Sequence, residues 1–348
     1  MTATTAASQG DRGMGSNARA SRVIVTGASG FLGQFVLNRL LAEGKYVVAL
    51  SKHSPATQHP RLQYVSVSDL RAFKEWERHL AHTTAVVHLA GRAHHFDQAG
   101  EATDALYREA NVGVTRVVYE AAARAGTVER FIYISSIKAC GERSAQRPFE
   151  ASDEPVPEDA YGRSKLEAER MLMNLAVNSH PKPVIIRPPL VFGPGARANF
   201  MLLMALADSP WPLPFGRFEN KRSLVSAWNL ADLIARCVDH PAAPSKLFLI
   251  ADRPAISVAE LVGMLRSALG RRRAIFSMPV PILRVLAACT GRSTQLSKAL
   301  DSLEVNDSAT RELLNWNPPL SLEEGIARTV AWLQATKAEF KGVRKWKD

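Results

Sequence analysis

Arg22-Val-Ile-Val-Thr26 runs directly into Gly27-Ala28-Ser29-Gly30-Phe31-Leu32-Gly33. The first stretch is mostly β-branched and apolar, as in a strand covered on both faces. From Phe31 to Glu43, Phe31, Leu32, Phe35, Val36 and Leu40 recur at helical spacing. Strand, glycine loop and helix therefore stand in the order that opens a βαβ unit. The glycines are spaced GxxGxxG. Glycine allows a tight turn and a close backbone approach to a pyrophosphate. The helix that follows offers free N–H groups and a partial positive charge at its start. A glycine triplet alone is unspecific, but in this context it predicts a dinucleotide site.

Working outward, further strands are expected at Tyr46–Leu50, Leu62–Val67, Ala85–Leu89, Phe131–Ser135, Val184–Arg187 and Lys246–Ile250, with helices between them, notably over about 102–125. Strand–helix alternation of this kind predicts an α/β chain, a Rossmann-type doubly wound parallel sheet. From Gly193 the pattern becomes less regular and is punctuated by Pro194, Pro210, Pro212 and Pro214. A smaller C-terminal substrate-binding lobe is expected there. The predicted division is a disordered tail at 1–20, a dinucleotide-binding domain at 21–192 plus about 223–252, a substrate lobe at 193–222 and 253–335, and a basic tail at 336–348.

The 348 residues are 46% hydrophobic and 22% charged, which excludes a mainly disordered or collagen-like chain. Lys plus Arg total 44 and Asp plus Glu 33, a formal charge of +11. That balance suits an anionic ligand, but no nucleic-acid recognition motif accompanies it, so no nucleic-acid partner is expected. Cys140, Cys237 and Cys289 lie far apart, without CxxC or metal-ligand spacing. A reducing, cytoplasmic setting and no metal are expected, and His94-His95 are not read as ligands. The most apolar later stretch, Met278 to Thr290, is too short to span a bilayer. It is expected to be a buried or interface helix, and no integral membrane segment is expected.

At the end of the second strand an acidic residue would accept from the ribose hydroxyls of NAD. Ser51-Lys52-His53 stand there instead, and a hydroxyl with a cation suits the 2′-phosphate of NADP(H), which is favoured over NAD(H). Asp69-Leu70 after the third strand either hold the adenine edge or, through Asp69, cap the next helix.

Tyr161-Gly-Arg-Ser-Lys165 opens a helix in which Tyr161 and Lys165 share a face. An adjacent ammonium is expected to lower the phenol's pKa from about 10 and to fit it for proton transfer near neutral pH. Ser135 and Ser136 end the fifth strand, where a hydroxyl can reach the same substrate oxygen.

Glycine loop, strand-end serines and YxxxK in this order resemble the extended short-chain dehydrogenase/reductases that act on nucleotide sugars. The resemblance covers about residues 22–335. It is carried by TGASGFLG at 26–33, HLAG at 88–91, NVGVT at 111–115, ISSIKACGE at 134–142, YGRSK at 161–165, RPPLVFGPG at 187–195 and KRSLV at 221–225. It implies Ser136, Tyr161, Lys165 and the helix residue Asn111 as the catalytic set. It places Gly27, Ser29, Gly30, Phe31, Leu32, Gly33, Leu89 and Ala90 against the cofactor. It sets Ser136, Lys138, Asn199 and Arg222 against the substrate, with Arg222 on the UDP diphosphate. A second basic residue for the ribose is expected upstream of Asn306, with Lys298 as one candidate.

Two departures from the family are informative. Ile137-Lys138 stand where nucleotide-sugar 4,6-dehydratases carry an Asp-Glu acid/base pair, which argues against dehydration. Arg187-Pro188-Pro189-Leu190 lacks the asparagine of the RxxN pattern of UDP-galactose 4-epimerases. The strings HLAGRAHH, ISSIKACGE, IIRPPLVFGPG, ANF and NKRSLV resemble bacterial UDP-4-keto-6-deoxy-N-acetylglucosamine 4-reductases, which form UDP-N-acetylquinovosamine for O-antigen or related polysaccharide. A UDP-hexose or UDP-N-acetylhexosamine 4-epimerase with bound NAD is the alternative, and a non-catalytic NADP-binding scaffold a remote one. The resemblance also implies a homodimer.

Overall fold

A computed structural model describes residues 21–92, 101–144, 146–196, 199–216, 219–289, 296–297 and 300–344. The segment 1–20, His94, His95, Lys298, the side chain of Asn199 and the side chains of 337–348 lie outside the described residues. So do the expectations attached to them.

The strands are β1 (Arg22–Thr26), β2 (Tyr46–Ser51), β3 (Leu62–Ser66), β4 (Thr83–His88), β5 (Arg130–Ile134), β6 (Lys182–Arg187), β7 (Leu190–Phe192), β8 (Arg222–Ser226), β9 (Lys246–Leu249) and β10 (Asp252–Ile256). Seven of them form one sheet in the order β3-β2-β1-β4-β5-β6-β9, and every pairing in it is parallel. This is the expected Rossmann-type doubly wound sheet. Chain direction across the sheet reverses between β1 and β4, and a crevice opens there beyond the carboxyl ends of the strands.

Helices cover both faces. They are α1 (Phe31–Ala42), α2 (Trp76–Leu80), α3 (Glu101–Arg108), α4 (Val114–Ala125), α5 (Ala160–Leu175), α6 (Asn199–Asp208), α7 (Ala227–Asp239), α8 (Val258–Ala268), α9 (Val280–Cys289), α10 (Ser308–Leu314) and α11 (Leu322–Arg344). Val36, Leu37 and Leu40 of α1 and Leu230, Leu233 and Ile234 of α7 cover one face. Val118, Tyr119 and Ala122 of α4 and Ala168, Met171 and Leu172 of α5 cover the other. A double apolar surface of this kind explains why the strands read as continuous rather than alternating hydrophobic runs.

Side chains that punctuate the chain set several boundaries. Asp159 caps α5 by accepting from Gly162 N at 2.7 Å. Ser226 caps α7, and Ser257 with Glu260 forms a reciprocal capping box on α8. The 102–125 region is not one uninterrupted helix. A π-helical turn, Glu109–Gly113, separates α3 from α4 and carries the buried Asn111.

A second, three-stranded sheet was not expected. In it β8 lies between β10, antiparallel, and β7, parallel. Phe192, Leu224 and Ile256 from these strands pack with α6, α8 and α11 in a separate apolar cluster. Of the two readings of the 278–290 stretch, a buried or an interface helix, α9 is not the fully buried one: Leu283 is buried, but Ile282 and Val285 are 50% and 62% exposed. No described helix is long and apolar enough to cross a membrane.

Candidate active site

The glycine loop sits at the β1/β4 crossover. Gly27 turns with φ +69°, and its N–H donates to Leu50 O at 3.0 Å. A Cβ at Gly27 would lie 2.8 Å from Ala90 N and 2.9 Å from Leu89 C, so the loop and the end of β4 touch backbone to backbone. A Cβ at Gly33 would meet Ala28 O at 2.3 Å, so α1 also presses on the loop. Gly30 precedes α1 and no side chain caps the helix. The first-turn N–H groups are left to a ligand, which fits a pyrophosphate. The loop and the uncapped helix start thus meet what a dinucleotide requires. Phe31 and Leu32 form the first turn of α1, beside the loop.

At the end of β2, Ser51 is buried and its hydroxyl donates to His53 O at 2.8 Å, while Lys52 and His53 are exposed. The Asp69 carboxylate accepts from Arg71 N at 2.9 Å and from the Arg71 guanidinium at 2.9 and 3.1 Å. Those hydrogen bonds hold its pKa below the ordinary carboxylate value. Leu70 packs inward on the sheet's second face.

The predicted proton-transfer residues converge. Ser136 follows β5 and hydrogen-bonds Tyr161. Lys165 Nζ lies 5.9 Å from the Tyr161 ring centroid and 4.7 Å from that of Tyr133, and donates to Ile134 O at 2.8 Å. Asn111 Oδ1 accepts from Arg92 N at 2.8 Å, and its amide donates to Ser164 Oγ at 2.9 Å. A Cβ at Gly91 would sit 2.8 Å from Asn111 Oδ1 and 3.8 Å from Lys165 Nζ, so this glycine keeps the space between them.

One expectation reverses. Tyr161 is not lowered towards neutrality: burial pushes its pKa up to about 12, against the smaller opposing effect of the Ser136 hydrogen bond. Lys165 shares the Tyr161 face of α5, and its ammonium is tied to the Ile134 carbonyl, with Nζ 5.9 Å from the Tyr161 ring centroid. Burial likewise brings Lys165 down to about 8, partly offset by Glu169. At pH 7 the group is a neutral phenol above a largely protonated amine.

Of the residues expected on the substrate side, Lys138 Nζ donates to Glu142 at 2.8 Å and to the α5 cap Asp159 at 2.5 Å. Its own N–H donates to Ser136 Oγ at 3.2 Å. The ammonium thus links the serine's loop to the helix of Tyr161. Arg222 opens β8 and donates to Asp301 O at 2.9 Å. Burial lowers its pKa, while Asp301 and Glu142 act in the opposite direction. Asn199 opens α6. Among the described residues, no group of three or more His, Cys, Asp or Glu side chains could hold a metal ion.

Sequence reasoning missed a buried polar cluster behind the site. Glu169 accepts from Ser135 Oγ and from Arg187 Nε at 2.9 Å and Nη2 at 2.5 Å. Arg187 Nη1 reaches Cys140 Sγ at 3.2 Å. Both charged side chains are 4% exposed. Glu169 was detectable in principle, because Tyr161, Lys165 and Glu169 follow at i, i+4 and i+8 on one face of α5.

A parallel Rossmann sheet whose glycine loop faces a Ser–Tyr–Lys group defines a nicotinamide-dependent oxidoreductase of the extended short-chain type. Residues 23–251 match the model of the NAD dependent epimerase/dehydratase family, and the chain belongs to that family. A UDP-glucose 4-epimerase from Vibrio cholerae is 41% identical over 318 residues, covering 90% of this chain and 96% of the relative. An N-acetyl-alpha-D-glucosaminyl-diphospho-ditrans,octacis-undecaprenol 4-epimerase from Escherichia coli O157:H7 is 26% identical over 328 residues, covering 89% and 94%. Among solved structures, MoeE5 in complex with UDP-glucose and NAD superposes with a TM-score of 0.73 at 24% identity, over 91% of this chain and 99% of that one. That last likeness establishes the shared fold.

Proposed function

We propose that this chain is a nucleotide-sugar 4-reductase that converts UDP-4-keto-6-deoxy-GlcNAc to UDP-N-acetylquinovosamine for surface polysaccharide. The observation that carries this reading is the half-buried Tyr161 phenol, hydrogen-bonded to Ser136 with the Lys165 ammonium below it. A phenol pushed up to about 12 is neutral at pH 7, the form that gives a proton away. When bound at the glycine loop, a reduced nicotinamide would supply the hydride for C4. Tyr161 then donates its phenolic proton to the C4 oxygen, which Ser136 orients by a hydrogen bond. Lys165 stabilises the phenolate left behind, and Asn111 orders the polar path beside it. Arg222 and Asn199 hold the UDP diphosphate, and Lys138 stands with Ser136 on the sugar side.

The reductant we infer is NADP(H) in preference to NAD(H), because Lys52 and His53 are exposed at the end of β2 and no carboxylate stands among residues 51–53. The contacting set includes Gly27, Ser29, Gly30, Phe31, Leu32, Gly33, Ser51, Leu89 and Ala90, with Asp69 and Leu70 on the adenine side. A cytoplasmic homodimer belongs to the same proposal. The 41% identical UDP-glucose 4-epimerase favours a second reading, in which the same Ser136, Tyr161 and Lys165 serve a UDP-hexose or UDP-N-acetylhexosamine 4-epimerase with bound NAD.

Cofactor-stripped protein mixed with UDP-4-keto-6-deoxy-GlcNAc and NADPH or NADH separates the two. Stoichiometric oxidation of the cofactor, with an equatorial C4 hydroxyl in the product by NMR, is the expected result. No oxidation, together with conversion of UDP-GlcNAc to UDP-GalNAc in the presence of NAD, would assign the chain to the epimerases.

A further inference from the structure

The buried Ser135–Glu169–Arg187–Cys140 cluster plays no part in the chemistry above, yet it adjoins the elements that carry Ser136, Tyr161 and Lys165. Glu169 lies one helical turn beyond Lys165 on α5. Ser135, which donates to it, directly precedes Ser136 in the chain. Arg187 ends β6, and its Nη1 reaches Cys140, just past the turn that Ser136 caps. One carboxylate therefore ties together the helix bearing Tyr161 and Lys165, the strand end bearing Ser136, and the neighbouring strand.

A lysine and a glutamate at i and i+4 on a helix lie within reach of each other. Here no ion pair links Lys165 to Glu169 among the described residues. Both Glu169 oxygens are occupied by the Arg187 fork, Oε1 at 2.9 Å from Nε and Oε2 at 2.5 Å from Nη2. Lys165 points the other way, to Ile134 O at 2.8 Å, with its Nζ 5.9 Å from the Tyr161 ring centroid.

We propose that Glu169 and Arg187 are positioning residues: Arg187 occupies the Glu169 carboxylate so that it cannot capture the Lys165 ammonium, which stays beneath Tyr161, while the negative charge of Glu169 acts on that ammonium from the next turn of α5. Its catalytic consequence rests on the Tyr161–Lys165 chemistry proposed above. The placement of the ammonium does not.

The other groups facing Lys165 do not supply that charge. His88 on β4 is held neutral by burial, its pKa pushed down to about 3. Tyr133 on β5 is raised well above 10 by burial, and Tyr161 on α5 to about 12. Asn111, beyond Gly91, is uncharged. Glu169 is the group that raises Lys165 against the dominant effect of burial.

The test is an NMR titration of the Lys165 ε-amine in protein carrying 13Cε-labelled lysine, with the signal assigned by its loss in Lys165→Met. Neither substrate nor cofactor is needed, so failure of the 4-reductase assignment leaves this result readable. Wild type is expected to titrate near pH 8. In Glu169→Gln the midpoint falls by about one pH unit, and in Arg187→Met, where the freed carboxylate pairs with the ammonium, it rises by about as much. The alkaline limb of turnover moves the same way with whichever UDP-sugar is the substrate. Should either single variant fail to fold, Glu169→Gln/Arg187→Met removes both buried charges together and is expected to titrate below wild type. Equal midpoints in wild type and Glu169→Gln, no rise in Arg187→Met, or a double variant at or above the wild-type midpoint would overturn the proposal. A merely structural pair would lower thermal stability and move none of these midpoints.

Discussion

His88 should make the protein acid-sensitive by a predictable amount. It ends β4 and is 1% exposed. Its ring nitrogens lie 2.8 Å from Thr26 Oγ1 and 3.1 Å from Thr115 Oγ1. Burial, with the Lys165 ammonium acting in the same direction, pushes its pKa down to about 3. In the unfolded chain an imidazole titrates at about 6.5. Below that pH the unfolded chain takes up a proton that the native site refuses. The stability contributed by keeping His88 neutral is therefore complete above about pH 6.5 and is lost as the pH falls towards 3. Each pH unit in that window costs about 1.4 kcal/mol, so the loss at pH 5 is about 2 kcal/mol. Urea unfolding followed by circular dichroism, at pH 7 and pH 5, measures it in wild type and in His88→Gln. Other carboxylates titrate in both proteins, and the variant's own packing cost is present at both pH values. The difference between the two pH-dependent losses isolates the imidazole. Wild type should lose about 2 kcal/mol more than the variant over this interval. Equal losses would refute the claim that the native site excludes the proton.

Three further outcomes follow from the geometry. Gly27→Ala places a Cβ 2.8 Å from Ala90 N at a φ of +69°; about 1–2 kcal/mol of left-handed strain plus displacement of the β4 end should weaken dinucleotide binding at least about tenfold by calorimetry. Lys52→Glu introduces the carboxylate that accepts from ribose hydroxyls and repels a 2′-phosphate, and should lower the ratio of kcat/KM for NADPH over NADH by about tenfold or more. Loss of the proposed charge-assisted contact to the diphosphate in Arg222→Ala, worth about 1.5–3 kcal/mol, should raise the KM for the UDP-sugar by roughly ten- to a hundredfold and leave cofactor affinity unchanged.

The features that could be read from sequence share a physical character. β1 matches its expected range residue for residue, and α1 ends one residue early. Both are encoded locally, one by an apolar run bounded by glycine and the other by a 3.6-residue apolar repeat. β7 and β10 carry no such code. Leu190–Phe192 is three residues long, and Asp252-Arg-Pro-Ala-Ile256 contains a proline and two charged residues. Both are strands because β8 lies between them, and that pairing joins segments tens of residues apart. Asp252 shows the same dependence: its carboxylate accepts from Ser226 N and Asn229 Nδ2, both at 2.8 Å, partners that a local window does not contain.

The site divides along the same line. Residue types and spacing nominate Tyr161, Lys165 and the strand-end pair Ser135 and Ser136; the choice of Ser136 and the naming of Asn111 come from the family resemblance. Their electrostatics do not follow from spacing. A lysine four residues after a tyrosine lowers the phenol's pKa only if the ammonium approaches the phenol oxygen more closely than burial penalises the phenolate. Here Ile134 O takes the ammonium at 2.8 Å and the tyrosine is half-buried, so the cost of desolvating the phenolate wins. What decides where Lys165 points is in turn the occupancy of Glu169, and that is set by an arginine on β6, 18 residues further along the chain. A charge that acts on the reaction through two intermediates, each from a different element, leaves no periodic trace in sequence. It becomes visible only when the parallel pairing of β5 with β6 brings Ser135 and Arg187 to the same carboxylate.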